Sequence, residues 1–547
     1  MLIQLLPLRP QESLMIPRTL RLPAVALGTA AVIALAGCSG GNSANDSGDA
    51  GGESGGSLVI DAAFSIETAD PGHSYDPTGN MIAKALYETL VTFEGADVAD
   101  PQPGLASWEQ NDDATEFVFT LDDGRTFSDG TEVTADDVVF TLQRIQSLES
   151  AKPHFLLEGL TIEKVDDSTI RFTTETPSLQ LPAILANPAL GILNQEVVEE
   201  NGGATDGSDS AQEFLDGESA GSGPYVLETL DLTSQVVLTK NPDYTGDENV
   251  AYDRVVVRNV TESATQLINL QGGDTMAALD LNGDQVSGLG DGDGLAVNPV
   301  ASAQTIFLLF NQNDEVAGDM ANTDIAEAVR YALDYDGLLE LAGEGALQAT
   351  GVIPPGFEGS LDAGVEQDLD RAQEALDAAG YDGETLTLQY PNDYPVGGVE
   401  FTPLAERIQA QLGDAGIDVE LAGQPFATEL DLYTGGQEGF GLWFWGPDYA
   451  DSANFLPFGP GLTVGERAGW DEAAAGEIAE LATSASTATD PEERTAAFTE
   501  FAEHMQQEGP FVPLIVPGKN FATTDEITGA VYNPVWELNI AEIQPAG

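Results

Sequence analysis

Cysteine is nearly absent: Cys38 is the only one in 547 residues. A single thiol excludes an internal disulfide, and no CxxC pair, HExxH run or Cys/His cluster offers zinc or iron–sulfur a handle. Histidine is almost as scarce. His73, His154 and His504 lie far apart and none accompanies a nucleophile-elbow motif, so a Ser–His–Asp hydrolase has no support. No GxxxxGK[ST] loop occurs, and no GxGxxG follows a strand-like run, so nucleotide binding lacks a motif. No cofactor is implied. Positive charge is the third scarcity, with 18 Lys plus Arg against 92 Asp plus Glu, a formal net of -74. Such a surface repels phosphates and anionic membranes, which excludes nucleic acid as a partner. The acids are dispersed along the chain, as suits solubility in a salty medium that screens their repulsion. Thermal stability is therefore expected to fall at low salt and return at high salt; indifference to salt would contradict that reading.

Long apolar runs are also missing. The longest, 22–35, follows Arg18 and Arg21 and has the length of a signal-peptide core rather than a bilayer span. It ends in Leu35-Ala36-Gly37-Cys38, followed by Ser39-Gly40-Gly41. This resembles the bacterial lipoprotein signal, in which small residues admit a peptidase and the thiol receives the lipid. The resemblance implies a signal peptide at 1–37, lipidation of Cys38 and anchoring to the outer face of the cytoplasmic membrane. Residues before Met15 read as an upstream start. The Gly/Ser-rich stretch 38–57 is expected to be a flexible tether.

What remains is globular: 42% hydrophobic, punctuated by 60 Gly and 30 Pro, and long enough for more than one core. Leu58-Val59-Ile60 begins a strand-like run, and Thr68-Ala69-Asp70-Pro71 opens a turn. Helical spacing covers 80–91, with Ile82, Leu86 and Leu90 on one face. Alternation at 116–121 predicts a strand, and Thr134 caps a helix whose face carries Ala135, Val138, Val139, Leu142 and Ile145. Residues 324–336 form an apolar helical stripe, with Asp324 and Glu327 as a capping-box-like start. Residues 370–379 are helical with Gly380 as the stop, 406–412 repeat the pattern before Gly413, and 417–421 alternate. Helices alternating with short strands argue for α/β lobes. Within 439–458, Trp443, Phe444, Trp445 and Tyr449 surround a lone acid, Asp448, across the turn formers Gly446 and Pro447. Rings beside a carboxylate suit a cationic group; a core strand at 441–445 with a solvated acid beyond it is the plainer alternative.

The order of the segments is more specific than any one of them. Tyr87-Glu88-Thr89-Leu90, Leu105-Ala106-Ser107-Trp108 and 117–142, FVFTLDDGRTFSDGTEVTADDVVFTL, come first. They are followed by Gly221-Ser222-Gly223-Pro224-Tyr225, Lys240-Asn241-Pro242-Asp243-Tyr244 and Leu270-Gln271-Gly272-Gly273-Asp274. Leu309-Phe310-Asn311, DIAEAVRYALDYD at 324–336 and DRAQEALDAAGY at 370–381 complete the series. From about residue 58 onward the chain resembles family 5 of the extracytoplasmic solute-binding proteins, the dipeptide, oligopeptide and nickel-type subunits of bacterial ABC importers. The resemblance implies a two-lobed periplasmic-binding-protein-like α/β fold, with an extra subdomain in the first lobe and a ligand cleft between lobes. Lobe I would span 58–306, with the subdomain at about 80–220. Lobe II would span 307–511, and 512–547 would return to lobe I. The crossings are expected near 307–311 and 511–514.

The resemblance also implies the site. Trp445-Gly446-Pro447-Asp448-Tyr449 is similar to the family's W-x-x-D-Y motif, whose Asp meets a peptide's free α-ammonium. Asp448 takes that role, Trp445 and Gly446 supply a wall and backbone pairing, and Phe426 stands where oligopeptide binders have an aromatic wall. Tyr75, Asp76 and Pro77 occupy the loop that touches ligand in lobe I, although Pro77 has no N–H to donate. Two features depart from the family. Ser452 replaces a common Pro, and no Arg or Lys is apparent near Asp448 to hold a peptide's carboxylate. Arg330, Arg371 and Arg407 fall on helices as surface or structural residues, which favours longer or uncharged-ended ligands over dipeptides. So few His argue against nickel, and metal sites are expected to be absent. The expected protein is a monomeric, non-enzymatic receptor delivering peptides to permease subunits. Three alternatives stand beside it: a peptide-signal sensor of the same fold, a binder of a sugar or metal chelate, and a hydrolase using Asp448 with Asp451.

Overall fold

Alternation along one strand shows how the second half of the chain builds two cores. In the computed structural model, Phe440 and Leu442 of the strand Phe440–Trp445 point to one face and Trp443 to the other, and all three are fully buried. Burying side chains of this size contributes about 1.5–3 kcal/mol each. The structure describes residues 56–289, 294–318, 321–471, 473 and 476–547. The signal segment, Cys38 and the tether as far as residue 55 lie outside them.

That strand sits inside a six-stranded sheet ordered Leu347–Gln348, Phe511–Val516, Thr305–Phe310, Phe440–Trp445, Leu386–Pro391, Val419–Gln424. Helices Thr323–Ala332, Tyr335–Ala342, Leu369–Ala379 and Phe401–Asp414 supply one core, and Pro491–Glu508 and Gly476–Thr487 the other. A seven-stranded sheet runs Leu295–Ala301, Gly518–Thr524, Ala277–Leu281, Ser57–Ala62, Arg254–Asn259, Gln235–Lys240, Tyr225–Asp231. Its core takes Met81, Ile82 and Leu86 from the helix Pro77–Leu86. The chain passes between the two sheets twice, through 302–304 and at Pro517 rather than near 307–311 and 511–514, because Thr305–Phe310 and Phe511–Val516 are both strands of the six-stranded sheet. The crossings are tied by Ser302 N–H donating to the Pro517 carbonyl at 2.9 Å. A third core lies under a four-stranded antiparallel sheet, Ala106–Gln110, Glu116–Leu121, Thr169–Thr173, Thr161–Lys164. There Phe117, Phe119 and Phe172 meet Val138, Leu142 and Ile145 of the helix Ala135–Ser147. The α/β class is the one the sequence pattern argues for, and the two-lobed architecture is the one the resemblance implies.

Several local expectations hold. The strand at 116–121, the helix capped by Thr134 and the helix ending at Gly380, which is left-handed at φ 71°, all form as predicted. Others shift for identifiable reasons. The helix predicted at 80–91 is Pro77–Leu86, because Asp76 caps the Gly79 N–H at 2.7 Å and Pro77 has the backbone angle a first turn needs. Tyr87 is extended, and Val91 already begins a strand. The stripe at 324–336 is two helices rather than one. Asn322, not Asp324, caps the first, Leu333 ends it extended, and Asp334 caps Tyr335–Ala342. Glu327 is not a capping residue; it pairs with Arg371 at 2.8 Å.

Candidate functional site

Strand order locates the site before any side chain is considered. Leu386–Pro391 is parallel to Val419–Gln424 on one side and to Phe440–Trp445 on the other, so the chain reverses its direction of progress across the sheet there. In open α/β sheets such a switch point leaves a crevice outside the carboxyl ends of the strands. The residues that follow these three strands are Asn392 to Tyr394, Pro425 with Phe426, and 446–451. Phe426 begins the helix Phe426–Thr434 and is half-buried. Its ring stacks on Tyr394 at 4.3 Å, and Tyr394 stacks on Phe444 at 5.5 Å. Tyr394 is 44% exposed and extends the aromatic wall to the rim.

Asp448 lies at the centre of a polar knot. The Tyr75 hydroxyl donates to its Oδ1, Asn454 Nδ2 donates to Oδ2 at 3.4 Å, and Asn187 Nδ2 donates to its backbone carbonyl at 2.8 Å. Trp445 Nε1 in turn donates to Asn454 Oδ1 at 3.3 Å, so the indole orients the amide that faces the carboxyl. Burial pushes the Asp448 carboxyl above its ordinary value; donation from Tyr75 and Asn454 and the charge of Arg467 act against that. Burial, followed by the neighbouring Asp448 charge, also pushes the Tyr75 hydroxyl up, so it remains a donor at neutral pH. A half-buried carboxylate with spare lone pairs, walled by Trp445 and Tyr449, can accept a cationic N–H group.

The other expected residues divide. Gly446 packs against Gln304 of the first crossing, and a Cβ there would come within 3.1 Å of the Gln304 side chain. Tyr449 is half-buried and packs against both the small-sheet core and the core containing Trp443. Asp76 and Pro77 are taken up by the start of a helix, and Asp76 also accepts from Ser65 at 3.0 Å, so only Tyr75 of that loop reaches Asp448. Asp451 accepts from Arg494 at 2.6 Å, and Arg494 also pairs with Glu358. Ser452, where the family has Pro, donates to the Glu358 carbonyl at 2.6 Å and closes that network. Below the wall, Trp443 donates to the buried Glu438, whose carboxyl is pushed up by burial and the adjacent Glu429.

One expectation is overturned: a basic residue does stand near Asp448. Arg467 ends the short helix Thr463–Arg467, lies 4.8 Å over the Tyr433 ring and 5.9 Å from the Trp445 ring, and makes no ion pair among the described residues. Its distance in sequence hid it. Arg330 is buried and donates to the carbonyls of Gln507, Gly509 and Phe511, Arg371 pairs with Glu327, and Arg407 donates to the Gly337 carbonyl. Among the described residues no group of three or more His, Cys, Asp or Glu is placed to hold a metal, and no helix is long and apolar enough to cross a membrane. Asn187, Asn454, Arg467 and Tyr394 were not singled out from sequence; an Asn before Pro188 reads only as a turn.

Comparison with known proteins places most of the chain beside a family and several relatives. The sequence profile of the bacterial extracellular solute-binding proteins, family 5, matches residues 100–460. The chain is 29% identical to the probable D,D-dipeptide-binding periplasmic protein DdpA of Escherichia coli K12, over 88% of this chain and 92% of that one. It is 26% identical to the glutathione-binding protein GsiB of Salmonella paratyphi A, over 86% and 91%. Its fold matches DppA of Helicobacter pylori in complex with the peptide STSA, with a TM-score of 0.73 at 23% identity over 90% and 98% of the two chains. It also matches the ABC transporter substrate-binding protein CtaP of Listeria monocytogenes, with a TM-score of 0.78 at 19% identity over 90% and 100%.

Proposed function

We propose, for a chain that belongs to the bacterial extracellular solute-binding proteins of family 5, that it is a lipid-anchored receptor capturing peptides between its lobes and delivering them to an ABC permease. The observation that carries this reading is the Asp448 carboxylate. It follows the carboxyl end of a strand beside the switch point, hydrogen-bonded on one side and flanked by Trp445 and Tyr449. A peptide's α-ammonium fits that position, and an extended peptide can pair its backbone along the strand edge regardless of its side chains. The names of DdpA, GsiB and the peptide-bound DppA point the same way. Arg467 supplies what a zwitterionic peptide needs at its other end, since a guanidinium forks onto a carboxylate. In a chain with 18 basic and 92 acidic residues, a half-exposed Arg that makes no ion pair among the described residues is conspicuous. The protein acts without catalysis: Asp451 is neutralised by Arg494 and cannot serve as the second carboxylate of a hydrolase. It works as a monomer on the outer face of the cytoplasmic membrane, held by Cys38.

Native mass spectrometry tests the class. Protein incubated with a mixture of di- to pentapeptides, free or carboxyl-amidated, is expected to retain peptides and to prefer the free acids. Arg467→Gln is expected to erase that preference. Retention of a sugar or metal chelate in place of any peptide would overturn the peptide reading; an unchanged preference in Arg467→Gln would remove Arg467 alone.

A further inference from the structure

Asp448 belongs to the second sheet's half of the molecule, yet two of the donors that hold it come from the first. Tyr75 precedes the helix Pro77–Leu86, and its hydroxyl reaches Asp448 Oδ1 across 373 residues of sequence. Asn187 is 2% exposed and reaches the Asp448 carbonyl at 2.8 Å. The next residues follow the same route: Ala450 is buried in the core under the small four-stranded sheet, and Tyr449 packs against that core too. Tyr75 is itself braced, its ring edge-to-face with Phe155 at 5.7 Å. Every one of these contacts runs between protein atoms, so none depends on the chemistry of a ligand.

We propose that Tyr75 and Asn187 form an interlobe clasp on Asp448, with Tyr75 a positioning residue that couples closure of the lobes to capture of a cationic group. The coupling follows from what each bond senses. Asn187 grips a backbone carbonyl, whose acceptor strength is fixed, so its bond reports only that the lobes have met. Tyr75 grips the carboxyl, and a phenol donates more strongly to a carboxylate than to a carboxylic acid. Tyr75 therefore favours the ionised anchor that a cation needs, at the moment closure removes that anchor from water. The carboxylate retains lone pairs for the ligand, so clasp and ligand bind together rather than compete. This deepening rests on the peptide reading; the clasp itself does not.

The test uses wild type, Tyr75→Phe and Asn187→Asp, the last keeping the oxygen that accepts the Ala189 N–H at 2.9 Å while losing the donor. Calorimetry against trialanine and N-acetyl-trialanine is combined with X-ray scattering with and without trialanine. Loss of a hydrogen bond to a charged group predicts about a tenfold weaker trialanine affinity for Tyr75→Phe, with little change for the acetylated form. Both variants are expected to show a larger radius of gyration than wild type. Radii equal to wild type in both variants would overturn the clasp. Equal affinity losses for the two peptides, or none, would overturn the coupling. No heat from either peptide on wild type would overturn the peptide reading, while scattering still decides the clasp.

Discussion

Asp448→Ala is expected to weaken binding of an amino-terminally free peptide by at least about tenfold, or 1.4 kcal/mol. A carboxylate and an ammonium about 4 Å apart attract by roughly 4 kcal/mol at an effective dielectric of 20, before desolvation is counted. Truncating one member of a buried, hydrogen-bonded pair typically costs about 2–5 kcal/mol of binding. The lower figure applies here because Asp448 is half-buried and already accepts from Tyr75 and Asn454. Asp448→Asn separates charge from shape. Its amide oxygen still accepts from Tyr75, so the lobes are expected to close while affinity for the free amine falls nearly as far as in the alanine variant. Calorimetry with free and N-acetylated peptides checks both, and affinity in Asp448→Ala equal to wild type would discard the anchor.

Asp448 was legible in the sequence because everything that defines it is local. Gly446 and Pro447 turn the chain directly after a strand, and the rings beside the acid lie within a few positions of it. The α/β class was legible for the same reason, since periodicity and turn residues act over ten or fifteen positions. The partners of Asp448 were not. Asn187 is 261 residues away, Tyr75 is 373 away, and Arg467 returns to Trp445 only because the segment after Phe458 folds back over it. Tyr75 drew notice as part of a loop, but nothing near it in sequence reveals that its hydroxyl meets Asp448. The break at Leu333 illustrates a different limit. The apolar stripe is the same whether 323–342 is one helix or two, and only the caps Asn322 and Asp334, twelve positions apart, mark the division. Asp76 shows two readings competing for one residue. As a neighbour of Tyr75 it reads as a ligand contact, and as the residue before Pro77 it reads as an N-cap; the cap is what the structure holds.

The second large effect lies beneath Tyr75. Arg144 and Asp70 are both fully buried, with the guanidinium forked onto Asp70 at 2.9 and 2.6 Å and onto Asp209 at 2.7 and 3.0 Å. Arg144→Met is expected to lower stability by about 3–5 kcal/mol, because it leaves two carboxylates out of water without their shared cation. Thermal unfolding at neutral pH checks this, and a midpoint within a degree of wild type would refute it. The pH dependence has a definite sign. Burial pushes the Asp70 carboxyl up, but bonds from His73 and Arg144 outweigh it and bring it down to about 2 from an ordinary 3.8. A depressed folded value means the contribution is complete above the unfolded value and fades as pH falls from about 4 through 2. In Arg144→Met that opposition is lost, so protonating Asp70 relieves the variant, and its deficit against wild type should narrow on acidification. Arg144→Lys should fall between the two, since an ammonium keeps the charge but cannot fork onto both carboxylates. The consequence reaches the ligand. Asp70 also accepts from the Gly72 N–H, and its carbonyl accepts the N–H groups of His73 and Ser74 at 3.1 and 3.0 Å, which sets the turn delivering Tyr75. Loosening Arg144 should therefore weaken binding of free-amine peptides through Tyr75 even at temperatures where the variant is fully folded.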